Sequence, residues 1–201
     1  MLKLKKLISN TFLTALNIDY PQISFLKVNK KWGFINIKGH WVIKPKFDDF
    51  YSFYKNSARV KVNKKWGVIN KKGNWIILPI FDYIYSFNNG LARVHIYKKW
   101  GFVNTKGKII VPILFDKIGP FLNRLAYVVK NGKYGFANHK GEIIIQPKFD
   151  DIYTFYDETY FPYGLAPAKL KGKWGYINKK GEWVIKPQFE KAGFFHDVNR
   201  K

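Results

Sequence analysis

Short apolar runs, each closed by turn-forming residues, recur along the chain from residue 23 to residue 198. In one unit they lie near Ala92–Ile96, Trp100–Asn104 and Lys108–Val111. Runs this short, bounded by Asn, Lys and Gly, predict β-strands. Between the second and third run the chain always reads Asn-x-Lys-Gly. The first two units have Asn36, Lys38, Gly39 and Asn70, Lys72, Gly73. The others have Asn104, Lys106, Gly107, then Asn138, Lys140, Gly141, then Asn178, Lys180, Gly181. Asn suits the first turn position, and Gly supplies the left-handed residue that closes a type I turn with a bulge. A second turn precedes each second run, plainest as Asn131-Gly132 and Lys171-Gly172 and present as Asn29-Lys30 and Asn63-Lys64. A two-residue hairpin turn needs positive φ, which Gly and Asn tolerate best. Each unit is expected to be three antiparallel strands, and the chain all-β.

An aromatic–glycine pair opens every second run: Trp32-Gly33, Trp66-Gly67, Trp100-Gly101, Tyr134-Gly135 and Trp174-Gly175. The pairs recur every 34 residues, except for a last interval of 40. A fixed period of this size marks an array of similar supersecondary units. The units run 23–56, 57–90, 91–124, 125–164 and 165–198, after an extension of 1–22 and before a tail of 199–201. They leave no room for a second globular domain. Thirty-four residues are short for a four-stranded propeller blade of ~40–45. The expected architecture is therefore five three-stranded units in an open solenoid or propeller-like array. In residues 1–22, Leu4, Leu7, Ile8, Phe12 and Leu16 fall near helical spacing. A short helix capping the open end of the array is expected there. Lys3, Lys5 and Lys6 precede a stretch that Ser9, Asn10, Thr11 and Thr14 interrupt. A secretion signal is thus the less favoured reading, and a cytoplasmic location the favoured one. No run reaches the ~18 apolar residues that span a bilayer.

The third run is expected to end at proline, at Pro45, Pro79, Pro112, Pro147 and Pro187, since proline cannot donate to a ladder. A segment Phe-Asp-x-Ile-x-x-Phe, as in Phe81-Asp82-Tyr83-Ile84-Tyr85-Ser86-Phe87, then leads onward. Its carboxylate slot holds Asp48, Asp82, Asp116, Asp150 and Glu190. One carboxylate per unit cannot converge on a catalytic site. Pairing with the lysine that precedes each aromatic (Lys31, Lys65, Lys99, Lys133 and Lys173), or capping of a turn, is the expected role.

The full unit reads Lys-Trp-Gly-Phe/Tyr-Ile/Val-Asn-x-Lys-Gly-x-x-Ile/Val-Ile-x-Pro-x-Phe-Asp and resembles the WG (KWG) repeat, common in bacterial proteins. The resemblance covers residues 23–198. It implies a β-rich repeat scaffold that mediates interactions, and it brings no catalytic residues with it. The fourth unit departs from the pattern, with Tyr134 in place of Trp and an insertion that lengthens it to 40 residues.

Charge adds a candidate function. The chain has 36 Lys plus Arg against 13 Asp plus Glu, a net charge of +23. Such a field attracts polyanions: nucleic acid, anionic glycan, acidic lipid headgroups or an acidic protein. A chain rich in Lys, Asn and Ile together also fits AT-rich coding without selection for binding. The binding candidates are the turn lysines Lys38, Lys72, Lys106, Lys140 and Lys180, favoured because no acidic neighbour is predicted for them. The competing reading is a solvated rim that keeps an aromatic-rich sheet protein soluble. A further candidate is the insertion, with Tyr156, Asp157, Glu158, Tyr160 and Phe161 on a surface loop. The aromatics themselves are expected in the core, because Trp41, Trp75 and Trp183 share a slot with Ile109 and Ile143.

With no cysteine, disulfides and thiolate chemistry are excluded. His40, His95, His139 and His196 fall at unrelated positions, and no phosphate loop, nucleophile elbow or metal spacing appears. No enzyme activity, cofactor or metal site is expected. The preferred function is a non-catalytic scaffold for an anionic macromolecule or acidic protein. A structural or cell-envelope component is the alternative. A nucleic-acid binder is the third reading, favoured only if aromatics interleave with lysines on an exposed face. The oligomeric state is left open.

Overall fold

A computed structural model describes residues 23–54, 56–122, 124–153 and 162–195. The cap helix expected in residues 1–22 lies outside the described residues, as does most of the insertion. The described chain is all-β apart from a single 3-10 turn at Pro162–Gly164. It divides into two compact units, residues 1–79 and 80–201.

The first unit holds two antiparallel sheets. One is β1 (Ile23–Val28), β2 (Lys31–Asn36) and β3 (Trp41–Phe47), in that order. The next is β4 (Asp49–Tyr54), β5 (Ser57–Val62), β6 (Lys65–Asn70) and β7 (Trp75–Phe81), the last crossing the boundary. The second unit holds three more four-stranded sheets. They are β8 (Tyr83–Ile84), β9 (Leu91–Ile96), β10 (Lys99–Asn104), β11 (Ile109–Phe115); β12 (Lys117–Ile118), β13 (Leu125–Lys130), β14 (Lys133–Asn138), β15 (Ile143–Phe149); and β16 (Asp151–Ile152), β17 (Leu165–Leu170), β18 (Lys173–Asn178), β19 (Trp183–Phe189).

Three strands per unit is thus corrected to four in every sheet but the first. The segment after each proline does more than connect. It forms the outer strand of the following sheet, as Ile118 opposite Val128 and Ile152 opposite Ala168 show. A 34-residue repeat builds a four-stranded sheet because its linker is itself a strand. Each four-stranded sheet is therefore stitched from two consecutive repeats.

The proline position is corrected too. Pro45, Pro147 and Pro187 lie inside a seven-residue strand, not at its end. Trp32 faces Phe47 while Phe34 faces Ile43, so Lys44, Pro45 and Lys46 together oppose the single residue Gly33. This wide bulge has no ladder bond for proline to forfeit. It brings the third-strand backbone so close that a Cβ on Gly135 would sit 2.3 Å from the Ile145 oxygen and 2.7 Å from the Pro147 nitrogen. In the third repeat the proline comes one residue early, and Ile113 instead crowds Gly101. The glycine of the aromatic–glycine pair is the constant requirement, and the proline is not.

The tight turns follow the expected chemistry except the third, where Tyr97 and Lys98 take the positive-φ positions. Asn29 and Lys30, Asn63 and Lys64, and Tyr97 and Lys98 all have positive φ, as do Asn131-Gly132 and Lys171-Gly172. Apolar residues from neighbouring sheets close the cores within each unit. In the first, Phe34, Ile43 and Phe47 meet Ala58, Val60 and Ile69. In the second, Phe102, Val111 and Phe115 meet Ile118, Ala126 and Val128, and Phe136, Ile145 and Phe149 meet Ile152, Ala168 and Ile177. The slot shared by Trp and Ile bridges these layers: Trp75 meets Phe47 edge-on at 6.1 Å, and Trp183 meets Phe149 at 5.4 Å.

Candidate basic interaction surface

Each second strand runs from a two-residue turn at its start to an Asn-x-Lys-Gly turn at its end. At that far end the asparagine organises the backbone. Asn104 Oδ1 accepts the N–H groups of Lys106 at 2.9 Å and Lys108 at 3.0 Å. Asn36, Asn70, Asn138 and Asn178 make the same pair of bonds in their own turns. The turn also leans on its neighbour: a Cβ on Gly181 would meet the Ile145 side chain at 2.9 Å, and Lys148 Nζ donates to the Gly181 carbonyl at 3.3 Å. Gly73 sits the same way on Ile43. The loop backbone is held, and the lysine side chain between these anchors is the part left in solvent.

All five of Lys38, Lys72, Lys106, Lys140 and Lys180 are exposed. Among the described residues none of their ammonium groups pairs with a carboxylate. The expectation that these turns lack acidic neighbours needs correction in the last two. Glu142 accepts from Asn138 Nδ2 at 2.5 Å, and Glu182 accepts from Asn178 Nδ2 at 2.8 Å. Each of those turns carries a carboxylate two residues after its lysine, where the third turn carries Lys108. The second and third turns, each with two lysines and no carboxylate, are the most strongly basic.

At the start of the second strand the lysines are engaged. Asp48 accepts from Lys31, Asp116 from Lys99 at 2.5 Å, and Asp150 from Lys133 at 2.5 Å. Lys173 lies 3.9 Å from Glu190. The second carboxylate oxygen reaches the following repeat's tight turn: Asp48 to the Asn63 N–H at 2.7 Å, Asp82 to Tyr97 at 3.1 Å, Asp116 to Asn131 at 2.7 Å and Asp150 to Gly172 at 3.3 Å. The lysine hydrogen bond, aided by the turn N–H, holds the carboxyls of Asp48, Asp116 and Asp150 below the ordinary aspartate range. Lysine–carboxylate pairing within a repeat was expected. The reach into the next repeat was not, because it depends on the linker being a strand.

The paired aromatics pack as core. Trp66 and Trp174 are buried, while Trp32, Trp100 and Tyr134 are half-buried. Their faces meet outer-strand rings and cations: Trp66 has Tyr51 at 5.1 Å and Lys61 Nζ at 5.5 Å, and Trp174 has Tyr153 at 4.7 Å and Lys169 Nζ at 5.7 Å. Arg59 and Arg93, at one slot of successive repeats, lie 3.7 Å and 4.1 Å over Tyr51 and Tyr85. Sequence reasoning missed these stacked cations, although the 34-residue offset between the two arginines was visible. Tyr97, by contrast, is 82% exposed. Tyr156, Asp157, Glu158, Tyr160 and Phe161 lie outside the described residues.

Among the described residues no group of three or more His, Cys, Asp or Glu gathers around a common point, and no polar or charged residue is buried. No described helix is long and apolar enough to cross a membrane.

Comparison with curated proteins gave no match. Among solved structures the chain is similar to Kluyveromyces lactis Hsv2, at 10% identity and a TM-score of 0.38 over 82% of this chain and 59% of that one. It is similar to a eukaryotic initiation factor at 9% identity and a TM-score of 0.42, over 85% of this chain and 53% of that one. A streptogramin B lyase aligns at 16% identity and a TM-score of 0.34, over 85% and 71%. The chain spans about three-fifths of the length of Hsv2. Likenesses this distant carry no ligand or activity across. The model of the WG containing repeat matches residues 32–66, 66–100, 100–134, 134–174 and 174–197 in unbroken succession. With the aromatic–glycine pair at every junction of those matches, the chain belongs to the WG-repeat family.

Proposed function

We propose that this protein is a non-catalytic repeat scaffold that binds an anionic macromolecule or an acidic protein through its Asn-x-Lys-Gly turns. The observation that carries the reading is the uneven use of lysine at the two ends of the hairpins. Lys31, Lys99 and Lys133 are committed to carboxylates and Lys173 lies beside Glu190, whereas Lys38, Lys72, Lys106, Lys140 and Lys180 stand exposed on hydrogen-bonded turns with no carboxylate partner among the described residues. A held turn presents its cation at a low entropic cost on binding. Like charges at such sites favour a polyanion, whose condensed counterions are released on contact.

Trp66 and Trp174 are buried, and the half-buried Trp32 and Trp100 already pack on Phe50 and His95, which argues against base stacking by the paired tryptophans, so nucleic acid enters only as one polyanion among several. The alternative of a structural component whose charge serves solubility draws support from Glu142 and Glu182, which temper the last two turns.

The test is binding to labelled single-stranded RNA, duplex DNA and an anionic glycan across a salt series. A steep log–log slope for one of them is expected, falling by about one for each engaged lysine replaced by Gln. Weak and equal binding to all three, unmoved by the replacements, contradicts the proposal.

A further inference from the structure

The first and last repeats expose, on opposite partners, the same junction that every interior repeat buries. Along the central strand-one position, Val60, Val94, Val128 and Ala168 are all 0% exposed, yet their counterpart Leu26 is 44% exposed. No described strand covers β1, whereas β5, β9, β13 and β17 each have an outer strand. Trp41, whose counterparts Trp75 and Trp183 rest on a phenylalanine of the preceding sheet, is 40% exposed. At the far end, Phe189 is 42% exposed where Phe47, Phe81, Phe115 and Phe149 are at most 3%. Glu190 is 90% exposed, while the paired aspartates at its slot range from 27% to 37%.

The terminal segment already follows the outer-strand path. Phe195 packs on Tyr176 at 4.8 Å, as Phe53 packs on Phe34 at 5.1 Å and Phe121 on Phe102 at 4.5 Å. Tyr176 Oη also donates to the Gly193 carbonyl at 2.9 Å. We infer that Phe189–Gly193 of one copy of this chain docks as the missing outer strand on β1 of a second copy.

The interior junctions supply the register. Asp116 N–H donates to the Val129 carbonyl and Gly119 N–H to Tyr127, which places Glu190 N–H on Lys27 and Gly193 N–H on Phe25. Lys117 faces Val129 and Ile118 faces Val128, so Lys191 faces Lys27 and Ala192 covers Leu26. Phe189 then meets Trp41, and the Glu190 carboxylate accepts the Asn29 N–H as Asp48 accepts that of Asn63. The donor surface and acceptor surface differ, so the association is heterologous and extends from copy to copy. Main-chain pairing to an exposed edge provides the affinity, and the seated side chains set the register.

The chain has no cysteine, which makes the test direct. Lys27→Cys and Lys191→Cys are introduced into separate molecules, mixed and oxidised. The expected product is a 27–191 disulfide-linked pair in excess over like-with-like pairs. Gly193→Pro, placed in the Lys191→Cys partner, is expected to abolish it while leaving the thermal melt unchanged; Phe189→Asp is expected to abolish it too, with a lowered melt, because Phe189 pairs with Trp174 inside its own sheet. Sedimentation of the 201-residue chain is expected to show a mass that rises with concentration. Cross-linking no greater than for cysteines at positions 106 and 180, or closure only within a chain carrying both Lys27→Cys and Lys191→Cys, overturns the inference.

Discussion

At the start of β10, Lys99 is held by Asp116, which also clasps the Asn131 N–H of the following repeat. At the end of the same strand, Asn104 closes its turn using only its own neighbours, and Lys106 is left to solvent. One end spends its charges on joining repeats; the other satisfies its backbone with a neutral side chain. Identical residue types therefore contribute to cohesion at one end and to surface charge at the other. Which role a lysine plays follows from whether the carboxylate slot is brought to it.

What brings the slot there is the bulge opposite the paired glycine, so the largest predicted effect comes from filling that space. Gly135→Ala drives a Cβ into the backbone of Ile145 and Pro147 and is expected to cost about 3 kcal/mol. The measurement is the denaturant midpoint at constant m-value. A cost under about 1 kcal/mol removes the glycine from its assigned role. Asn104→Ala unsatisfies two turn N–H groups at the other end, with an expected loss of about 1–2 kcal/mol by the same measurement. Lys98→Gly acts in the opposite direction. Lys98 has φ 62 where sister repeats use Gly132 and Gly172, and relief of that strain is expected to raise stability by about 0.5–1 kcal/mol.

The repeat period and the hairpin turns were legible because each is local and recurs, and the pairing of lysine with the carboxylate slot because both slots recur 17 residues apart. The fourth strand was not. Tyr83–Ile84 and Lys117–Ile118 are two-residue strands with no periodicity of their own, and their partners belong to the following repeat. The bulge was hidden for a related reason: its signature, a glycine opposite a proline at the fifth position of the next strand, becomes meaningful only when register is known. Glu142 and Glu182 are visible in the sequence two residues after Lys140 and Lys180. The exposed ends, Leu26 and Phe189, are chemically ordinary and differ from their counterparts only in lacking a neighbour.

Acid offers a gentler probe of the clasped end. The carboxyls of Asp48, Asp116 and Asp150 lie below the ordinary aspartate range in the folded chain, so their contribution is fully present only above about pH 5. It is lost as the pH falls further, through the lowered folded-state values. Asp116→Asn is therefore expected to lower the melting temperature at pH 7 and to flatten the decline below pH 4. A melting curve whose acid limb is unchanged by Asp116→Asn removes this pair from the account.

The smallest effect on stability is expected from replacing Lys38, Lys72, Lys106, Lys140 and Lys180 with Gln, since no ion pair is broken and charge repulsion falls. Within that set, Lys106→Gln is expected to weaken polyanion binding more than Lys140→Gln, because Glu142 shares the latter's turn.

The most direct measurement compares that five-lysine variant with one in which Lys31, Lys65, Lys99, Lys133 and Lys173 are replaced by Gln. Both remove the same formal charge from the same strands. Affinity for a single labelled polyanion is read across a salt series, alongside each variant's melting temperature. The account predicts that the turn variant loses binding and salt slope while its melt holds, and that the other loses stability while binding persists. Equal losses of binding from the two sets contradict it, and mean that the polyanion senses only net charge.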